Sequence, residues 1–559
     1  MAQADILRVD IDAAPGGDGS SWGRAFDSLT DALAASIAGD QLWVAKGTYV
    51  PEMPAGRNAT FQIPSGVQVF GGFQGNESSL AQRNFQSNIT ELNGAGTIYS
   101  IVTINSANSN TILDGFTVTK GLANTPGSGG SSRGAGIYAT DSSPILRNLV
   151  LTLCQSNEAG AAIYLGGTTA SSATIDSCTI ENNFGIYAVR TSVSATVLDT
   201  DFTANELGAL WLDSASPNTY QLILRCNFRD HQSTATLSPI YISHTLPNAI
   251  THIDSALIDN NRGQRSGAIY YLSDGNHEIR NSIFRNNRAS QPAVGGGAVY
   301  ISMNSANDSV LIENTLMLGN SNAGQGGAIS KDGPETLRII GSTLAGNHTD
   351  AAYGGGIELT AGLLDMDNSI IFDSTGIGML DQRRSIFITG GTATADRCII
   401  QYKGQGPMVP NISGFGTTSL DPLFVDADGP DNTYGTSDDN VRLSEGSPAI
   451  DAGNNLLVGS FVFTDAYGQP RFHDDTGTPD TGVDGGTPPV VDIGAAEFQG
   501  TTPNNCLADV NGDGSVTPAD FSAWVSAFNA QSSACDQNGD GSCSPADFSA
   551  WVANYNAGC

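Results

Sequence analysis

Lysine occurs four times in 559 residues; Lys and Arg together number 24 against 56 Asp and Glu, a formal net charge of −32. Without clustered cations the chain cannot neutralise a phosphate backbone, which excludes non-specific nucleic-acid binding. An anionic membrane surface repels it for the same reason. No apolar run approaches the ~18–20 residues of a membrane-crossing helix. No zinc-ligand spacing, nucleophile elbow or phosphate-binding loop occurs. The opening Met1-Ala2-Gln3-Ala4-Asp5 carries an A-x-A triplet with no apolar stretch before it. The expectation is a secreted chain whose leader has been removed.

What is abundant is glycine, 67 residues, together with Asn, Ser and Thr, a composition for many tight turns. A short string, small-small-Ile-aromatic-apolar, recurs from Gly136-Ile137-Tyr138 through Ala162-Ile163-Tyr164, Gly185-Ile186-Tyr187, Ala209-Leu210-Trp211, Pro239-Ile240-Tyr241, Ala268-Ile269-Tyr270 and Ala298-Val299-Tyr300, and fades towards Ser385-Ile386-Phe387. Successive copies lie 23 to 30 residues apart. A second string, Ile175-Asp176-Ser177-Cys178-Thr179-Ile180-Glu181-Asn182-Asn183, is echoed at 279–287 and 366–371. Each unit therefore holds about three short period-2 strands between Asn/Asp/Gly/Ser turns, with no amphipathic helix to make it a βαβ solenoid. A turn column of Ser177, Asp199, Ser255, Asn281, Asn314, Gly341 and Asn368 suits left-handed corners. The pattern predicts a mainly β fold, a right-handed parallel β-helix of about ten rungs, roughly 45–50 Å long. A helix over about 27–38, with Phe26, Leu29, Leu33 and Ile37 on one face and Asp27 or Ser28 as N-cap, is expected to cap its start. The division expected is 1–95 cap and first rungs, 96–420 β-helix, 421–500 acidic terminal rungs or cap, and 501–559 a small all-α module.

These motifs resemble known groups. Gly296-Gly297-Ala298-Val299, Gly326-Gly327-Ala328-Ile329 and the F-x-x-N pieces at 202–205 and 284–287 resemble the repeats of polymorphic outer-membrane adhesins. Ser447-Pro448-Ala449-Ile450-Asp451-Ala452-Gly453 followed by Asp492-Ile493-Gly494-Ala495 resembles the "choice-of-anchor" β-helix surface proteins of bacteria. The resemblance implies a β-helix fold and a surface location, and leaves activity open.

Residues 509–520 and 536–547 both fit a twelve-residue calcium loop, D-x-N-x-D-G-x5-D. Calcium prefers six to eight oxygens. The expected ligands are Asp509, Asn511, Asp513, Asp520 and the Ser515 carbonyl in one loop, and Asp536, Asn538, Asp540, Asp547 and the Ser542 carbonyl in the other. Two calcium ions are thus expected. Each loop leads into Phe-Ser-Ala-Trp-Val. The tandem resembles a dockerin, which implies a cohesin-like or other cell-surface anchor protein as partner. It departs from the usual polar pair at loop positions 10 and 11, which are Pro-Ala in both loops. Four cysteines, Cys506, Cys535, Cys543 and Cys559, crowd this module and are expected to form two bridges in an oxidising compartment, in any of three pairings. Cys154, Cys178, Cys226 and Cys398 are expected to remain buried thiols.

Residues 421–497 hold 15 Asp or Glu against two Arg. Asp426, Asp428, Asp431, Asp438 and Asp439 form a candidate third calcium site, with a solvated acidic loop as the plainer reading. Tyr138, Tyr164, Tyr187, Trp211, Tyr241, Tyr270 and Tyr300 form an outward stripe, either a self-packing ladder or a platform on which glycan rings stack. For catalysis the candidates are Glu358 with Asp332 as an acid pair in adjacent rungs and His244 as a base. The leading expectation is a non-catalytic extracellular rod for adhesion, matrix or surface assembly. The alternative is a polysaccharide lyase or glycosidase attached through the dockerin-like tail.

Overall fold

The computed structural model describes residues 5–126, 129–167, 171–214, 216–233, 237–246, 248–292, 295–351, 354–376, 385–401, 412–500, 508–511, 516–530, 532–538 and 542–557. The chain divides into two units, residues 1–497 and 498–559.

The first unit is a parallel β-helix. Its three long sheets have 14 strands from Ile6–Val9 to Thr392–Asp396, 12 from Phe61–Gln62 to Ile386–Ile388, and 13 from Gly47–Tyr49 to Ile399–Ile400. The sheets are visited in rotation, so one circuit makes one rung, and about 12 rungs stack. The count exceeds the expected ten because the solenoid begins at once: Ile6–Val9 already pairs in parallel with Gln41–Ala45. In the 12-stranded sheet Ile137, Ile163, Val189, Leu210, Ile240, Ile269, Val299, Ile329, Ile357 and Ile386 form one column. All are buried in a single core. The third member is Val189, where the string at 185–187 had suggested Ile186, so Arg190 takes the outward place expected of Tyr187. The first helix, α1 (Leu29–Ala35), is shorter than expected. Ser28 caps its start by accepting from the Asp31 amide, and Ser36 donates back to the Leu33 carbonyl and ends it, which leaves Ile37 exposed.

Corners decide whether such a coil can form. Ser177, Asp199, Arg225, Ser255, Asn281, Asn314 and Asn368 have φ between 44° and 55°, the left-handed region. The side chain that follows each corner turns inward. Thr200, Ser282, Ser342 and Ser369 donate to the carbonyl two residues back at 2.6–3.0 Å. Cys178, Cys226 and Cys398 make the same contact through sulfur at 3.3–3.4 Å. These three thiols therefore stand in a hydroxyl column.

A second corner carries a buried amide ladder. Asn205 accepts from the Asn183 backbone amide, Asn287 from Asn261, Asn320 from Asn287 and Asn347 from Asn320, all at 3.0–3.2 Å. Each side-chain NH2 donates to a carbonyl of the preceding rung, as Asn261 does to Phe228 at 2.9 Å. One rung has His231 instead. Its Nδ1 accepts from the Asn205 amide at 3.2 Å and its Nε2 lies 3.2 Å from the Phe202 carbonyl, the same two roles in an imidazole. Only the neutral ring with its proton on Nε2 can play both.

Residues 421–497 form neither end rungs nor an end cap. They lie along the 13-stranded sheet of the later rungs. The Gly494 amide donates to the Asn368 carbonyl, the Ala495 amide to Thr343 Oγ1 and the Gly459 amide to Glu313, at 2.7–2.9 Å. The sheet itself dictates this. In its early rungs the outward residues flanking Ile180 and Phe202 are Thr179, Glu181, Asp201 and Thr203, whereas Leu316-Met317-Leu318 and Ile370-Ile371-Phe372 are apolar at every position. A strand apolar on both faces must be covered on both. Tyr434 packs into the cover, and at Gly346, with φ +62°, a Cβ would lie 2.0 Å from its ring.

Burial pushes His231 down to about 4, against ~6.5 in an unfolded chain. The unfolded chain therefore takes up the proton first, and stability drains away as pH falls from about 6.5 towards 4. His231→Asn restores the column residue and removes the titration. We expect the variant and the parent to have similar stability at pH 7.5, and the variant to gain about 2 kcal/mol over the parent by pH 5, read from paired denaturation curves. A pH-independent difference would overturn the assignment.

Candidate functional site

The outward face of the 12-stranded sheet carries the stripe. Tyr138 stacks on Tyr164 with ring centroids 5.3 Å apart, Tyr241 on Tyr270 at 5.3 Å and Tyr270 on Tyr300 at 5.0 Å. Strand spacing of ~4.8 Å makes aromatic rings in one column stack face to face. Their faces are occupied by one another, and Tyr270 and Tyr300 are buried. The regular stack breaks where Arg190 replaces an aromatic residue. Its guanidinium lies 3.9 Å from the Trp211 ring and is paired with Asp213 at 2.9 Å. Trp211 is tilted by 41° from Tyr241, and Tyr187, fully buried, packs near both.

Beside that break lies a trough of about 570 Å³ lined by Trp211, Tyr241, Leu272, Asp213, Asp274 and Asn304 among others. An adjoining hollow of about 260 Å³ shares Tyr241 and Leu272 and is closed by Tyr187, Arg265 and Tyr270. An apolar wall with hydrogen-bonding groups at its margins can hold a ring that has two apolar faces and a polar rim.

The catalytic candidates do not converge there. His244 lines the trough, but it is buried, its Nε2 is 2.9 Å from Thr251 Oγ1, and burial pushes it down to about 4. Asp332 accepts from the Tyr300 hydroxyl at 2.5 Å, and Glu358 accepts from the Ser330 hydroxyl at 2.7 Å. Ser330 and Glu358 are register partners in adjacent rungs. Burial raises Glu358 above the usual carboxylate range, with the charge of Asp332 adding to it.

In the acidic segment, Asp431 accepts from the Thr433 amide, Asp439 from the Gly435 amide, and Asp438 and Asp439 from the Thr436 hydroxyl. These carboxylates close their own turns, and no three of Asp426, Asp428, Asp431, Asp438 and Asp439 bring an oxygen each within 4.8 Å of one another. Among the described residues the acidic group that does so is Asp451, Asp474 and Asp480. Sequence spacing missed it because its members are 23 and six residues apart.

The second unit contains α2 (Pro518–Ala530) and α3 (Pro545–Ala557). Proline is favoured at the first helical position, where its missing N–H is not needed, so the two Pro-Ala pairs begin helices. The halves cross-clamp each other: Trp524 Nε1 donates to the Cys535 carbonyl at 3.1 Å and Trp551 Nε1 to the Ala508 carbonyl at 3.2 Å. Each tryptophan thus ties down the residue before the first acid of the opposite loop. Asp520 accepts from the Asn511 and Thr517 amides, and Asp547 from Gln537, Asn538 and Ser544, at 2.8–3.3 Å. Asp509 and Asp520 are both buried, with their carboxyl groups in contact. Two carboxyl groups packed together fit a cation between them. Asp513, Ser515, Asp540, Cys506 and Cys559 lie outside the described residues. Cys535 and Cys543 are disulfide-bonded, with Cα atoms 5.7 Å apart. Cys154, Cys178, Cys226 and Cys398 are buried thiols.

Two stretches of the chain match known families. Residues 13–206 match the family described as a protein of unknown function (DUF1565), and residues 507–555 match the dockerin type I domain. No curated protein matches the chain. Two similar solved structures are pectate lyase Pel9A, 14% identical over 89% of this chain and 97% of its own with a TM-score of 0.35, and a rhamnogalacturonan lyase, 9% identical over 79% and 97% with a TM-score of 0.27. The protein is a parallel β-helix with a C-terminal dockerin type I module, and dockerins of this type are calcium-binding modules of extracellular proteins.

Chelation should loosen residues 506–559 and leave the β-helix core intact, because the loop carboxylates repel once the ion is gone; limited proteolysis with and without chelator reads this directly. Equal cleavage of the tail in both would overturn it. Thiol titration of the denatured, unreduced protein should return four thiols, all from the β-helix.

Proposed function

We propose that this chain is a secreted β-helix rod that binds polysaccharide without cleaving it and is held at a cell-surface scaffold through its dockerin module. The observation that carries the reading is the trough at Trp211 and Tyr241: an aromatic wall interrupted by one tilted ring, with Asp274 and Asn304 at its edge. A sugar ring packing on Trp211, Tyr241 and Leu272 would place its hydroxyls against those polar groups. The chemistry needed for cleavage is missing from the same place. Asp213 is neutralised by Arg190, and a histidine pushed down to about 4 is a weak base. The tail would hold two calcium ions through Asp509, Asn511, Asp513, Ser515 and Asp520, and Asp536, Asn538, Asp540, Ser542 and Asp547, and dock to a cohesin-like anchor protein. With Cys535 and Cys543 bridged, Cys506 and Cys559 would form the other bond.

One observation favours the enzymatic alternative. Glu358 is held protonated more readily than an ordinary carboxyl, by burial and by the charge of Asp332, and a raised carboxyl with a second one near it is what acid–base cleavage of a glycosidic bond uses.

A polysaccharide panel separates the two. Retention in affinity electrophoresis without unsaturated products or new reducing ends is the expected result, lost on Asp274→Ala together with Asn304→Ala and unaffected by Glu358→Gln. Product formation abolished by Glu358→Gln would make the chain a glycosidase.

A further inference from the structure

Asp451 is a buried charge without a counterion. Its side chain is fully buried, and neither carboxylate oxygen makes a hydrogen bond of normal geometry; the Asp475 amide only faces it loosely. Its backbone is held at φ +50°, in the left-handed region, and its carbonyl accepts from both the Thr481 and Gly482 amides at 2.9 Å. Those two bonds fasten the loop carrying Asp480 directly against it. The charges acting most strongly on Asp451 are those of Asp480, Asp474 and Asp475, all negative, and together with burial they push it up to about 6. The nearby guanidinium of Arg397 donates instead to the Ala452 and Thr481 carbonyls, at 3.2 and 2.8 Å. Asp475 is occupied within its own turn, where it accepts from the Thr478 hydroxyl at 2.7 Å.

Three carboxylate oxygens, one each from Asp451, Asp474 and Asp480, converge within 4.8 Å. Asp451 forms the floor, and Asp474 and Asp480 are exposed at the rim. We infer that Asp451, Asp474 and Asp480 form a calcium site in the layer covering the β-helix, separate from the two loops of the dockerin module. The chemistry selects the ion. All donors are hard oxygens with no nitrogen or sulfur among them, which favours calcium or magnesium over transition metals. The two rim carboxylates stand on a turn containing Gly477 and Pro479, and the open side admits water, so an irregular shell of more than six ligands can be completed. That suits calcium better than the strict octahedron of magnesium. The site converts a repulsive acidic loop into a clasp: an ion held between 451 and 474–480 ties the outermost loop to the strand-like segment that packs on the sheet.

Hydrogen–deuterium exchange on the full-length chain tests this, since the dockerin loops then serve as an internal control. In about 5 mM calcium, above the ~0.1–1 mM dissociation constants common in extracellular modules, amides of residues 474–484 should exchange about tenfold more slowly than in chelator. Magnesium at equal ionic strength should give little protection. In the variant carrying Asp474→Asn and Asp480→Asn, both exposed positions, the calcium effect on 474–484 should vanish while α2 and α3 still respond. Calcium counting by equilibrium dialysis should show one ion fewer per chain in the variant. A parent loop indifferent to calcium while the tail responds would overturn the site, as would equal protection by magnesium, or protection and stoichiometry unchanged in the variant.

Discussion

Every rung of this molecule depends on turning a corner without leaving a buried amide unpaired. A parallel coil hides its corners between the rungs above and below, where water cannot reach the backbone, and an unpaired buried N–H costs about 1–3 kcal/mol. The chain meets the demand with a left-handed residue outside and a small polar side chain inside. Each asparagine of the ladder from Asn183 to Asn347 accepts an amide and donates to a carbonyl of the preceding rung, and Asn183, Asn261, Asn287 and Asn320 also donate to the asparagine oxygen of the next, so these four side chains link three turns. The hydroxyl column does the same work at the other corner. Both are networks in which every member is satisfied, the condition under which buried polarity specifies a structure. His231 and the three column thiols show how far the chemistry can vary: any group that can fill the same acceptor and donor roles fits.

Fixed corners make side-chain direction strictly periodic, and the periodicity allocates chemistry to faces. On the 12-stranded sheet it produces a column of stacked tyrosines whose faces are mutually occupied, interrupted in the middle. Arg190 provides the interruption. On the 13-stranded sheet the same rule exposes apolar residues once Leu316, Leu318, Ile370 and Phe372 enter the outward positions, and the acidic segment is drawn over them. A segment with 15 Asp or Glu against two Arg is therefore placed by apolar contact, through Val441, Ala495, Tyr434 and Tyr467.

The β-helix was legible because repetition multiplies a weak signal. One Ile-Tyr-apolar triplet means little, and ten at a steady interval define a sheet. The third rung was misplaced because Ile186-Tyr187 imitates the string three residues before Val189-Arg190, and only backbone pairing distinguishes them. The asparagines at 183, 205 and 287 were visible as part of a repeated string, yet their ladder was not, since nothing in a linear pattern says that a polar residue points inward. The covering layer left a trace, the loss of alternation at 316–318 and 370–372, which marks a strand buried on both faces. The acidic site left almost none. Asp426 to Asp439 have suggestive spacing, yet Asp431, Asp438 and Asp439 use their carboxylates on their own turns, while Asp451 joins Asp474 and Asp480 only through the fold.

Net charge ties these observations together. A chain with 56 acids and 24 bases would repel itself if the excess were spread evenly. In the middle rungs the charges are paired across neighbouring strands: Arg190 with Asp213, Arg225 with Asp199, Arg285 with Asp259, Arg338 with Asp365. Parallel register puts each partner one rung away, so these charges are matched locally. The surplus is densest in the covering layer and the dockerin module, where residues 421–559 hold 21 Asp or Glu against two Arg. These are also the segments with the least repetitive backbone pairing, so they depend most on what neutralises them. Divalent cations stabilise such segments by binding the folded arrangement and not the expanded one, whereas the repeated corners hold the β-helix through hydrogen bonds of their own.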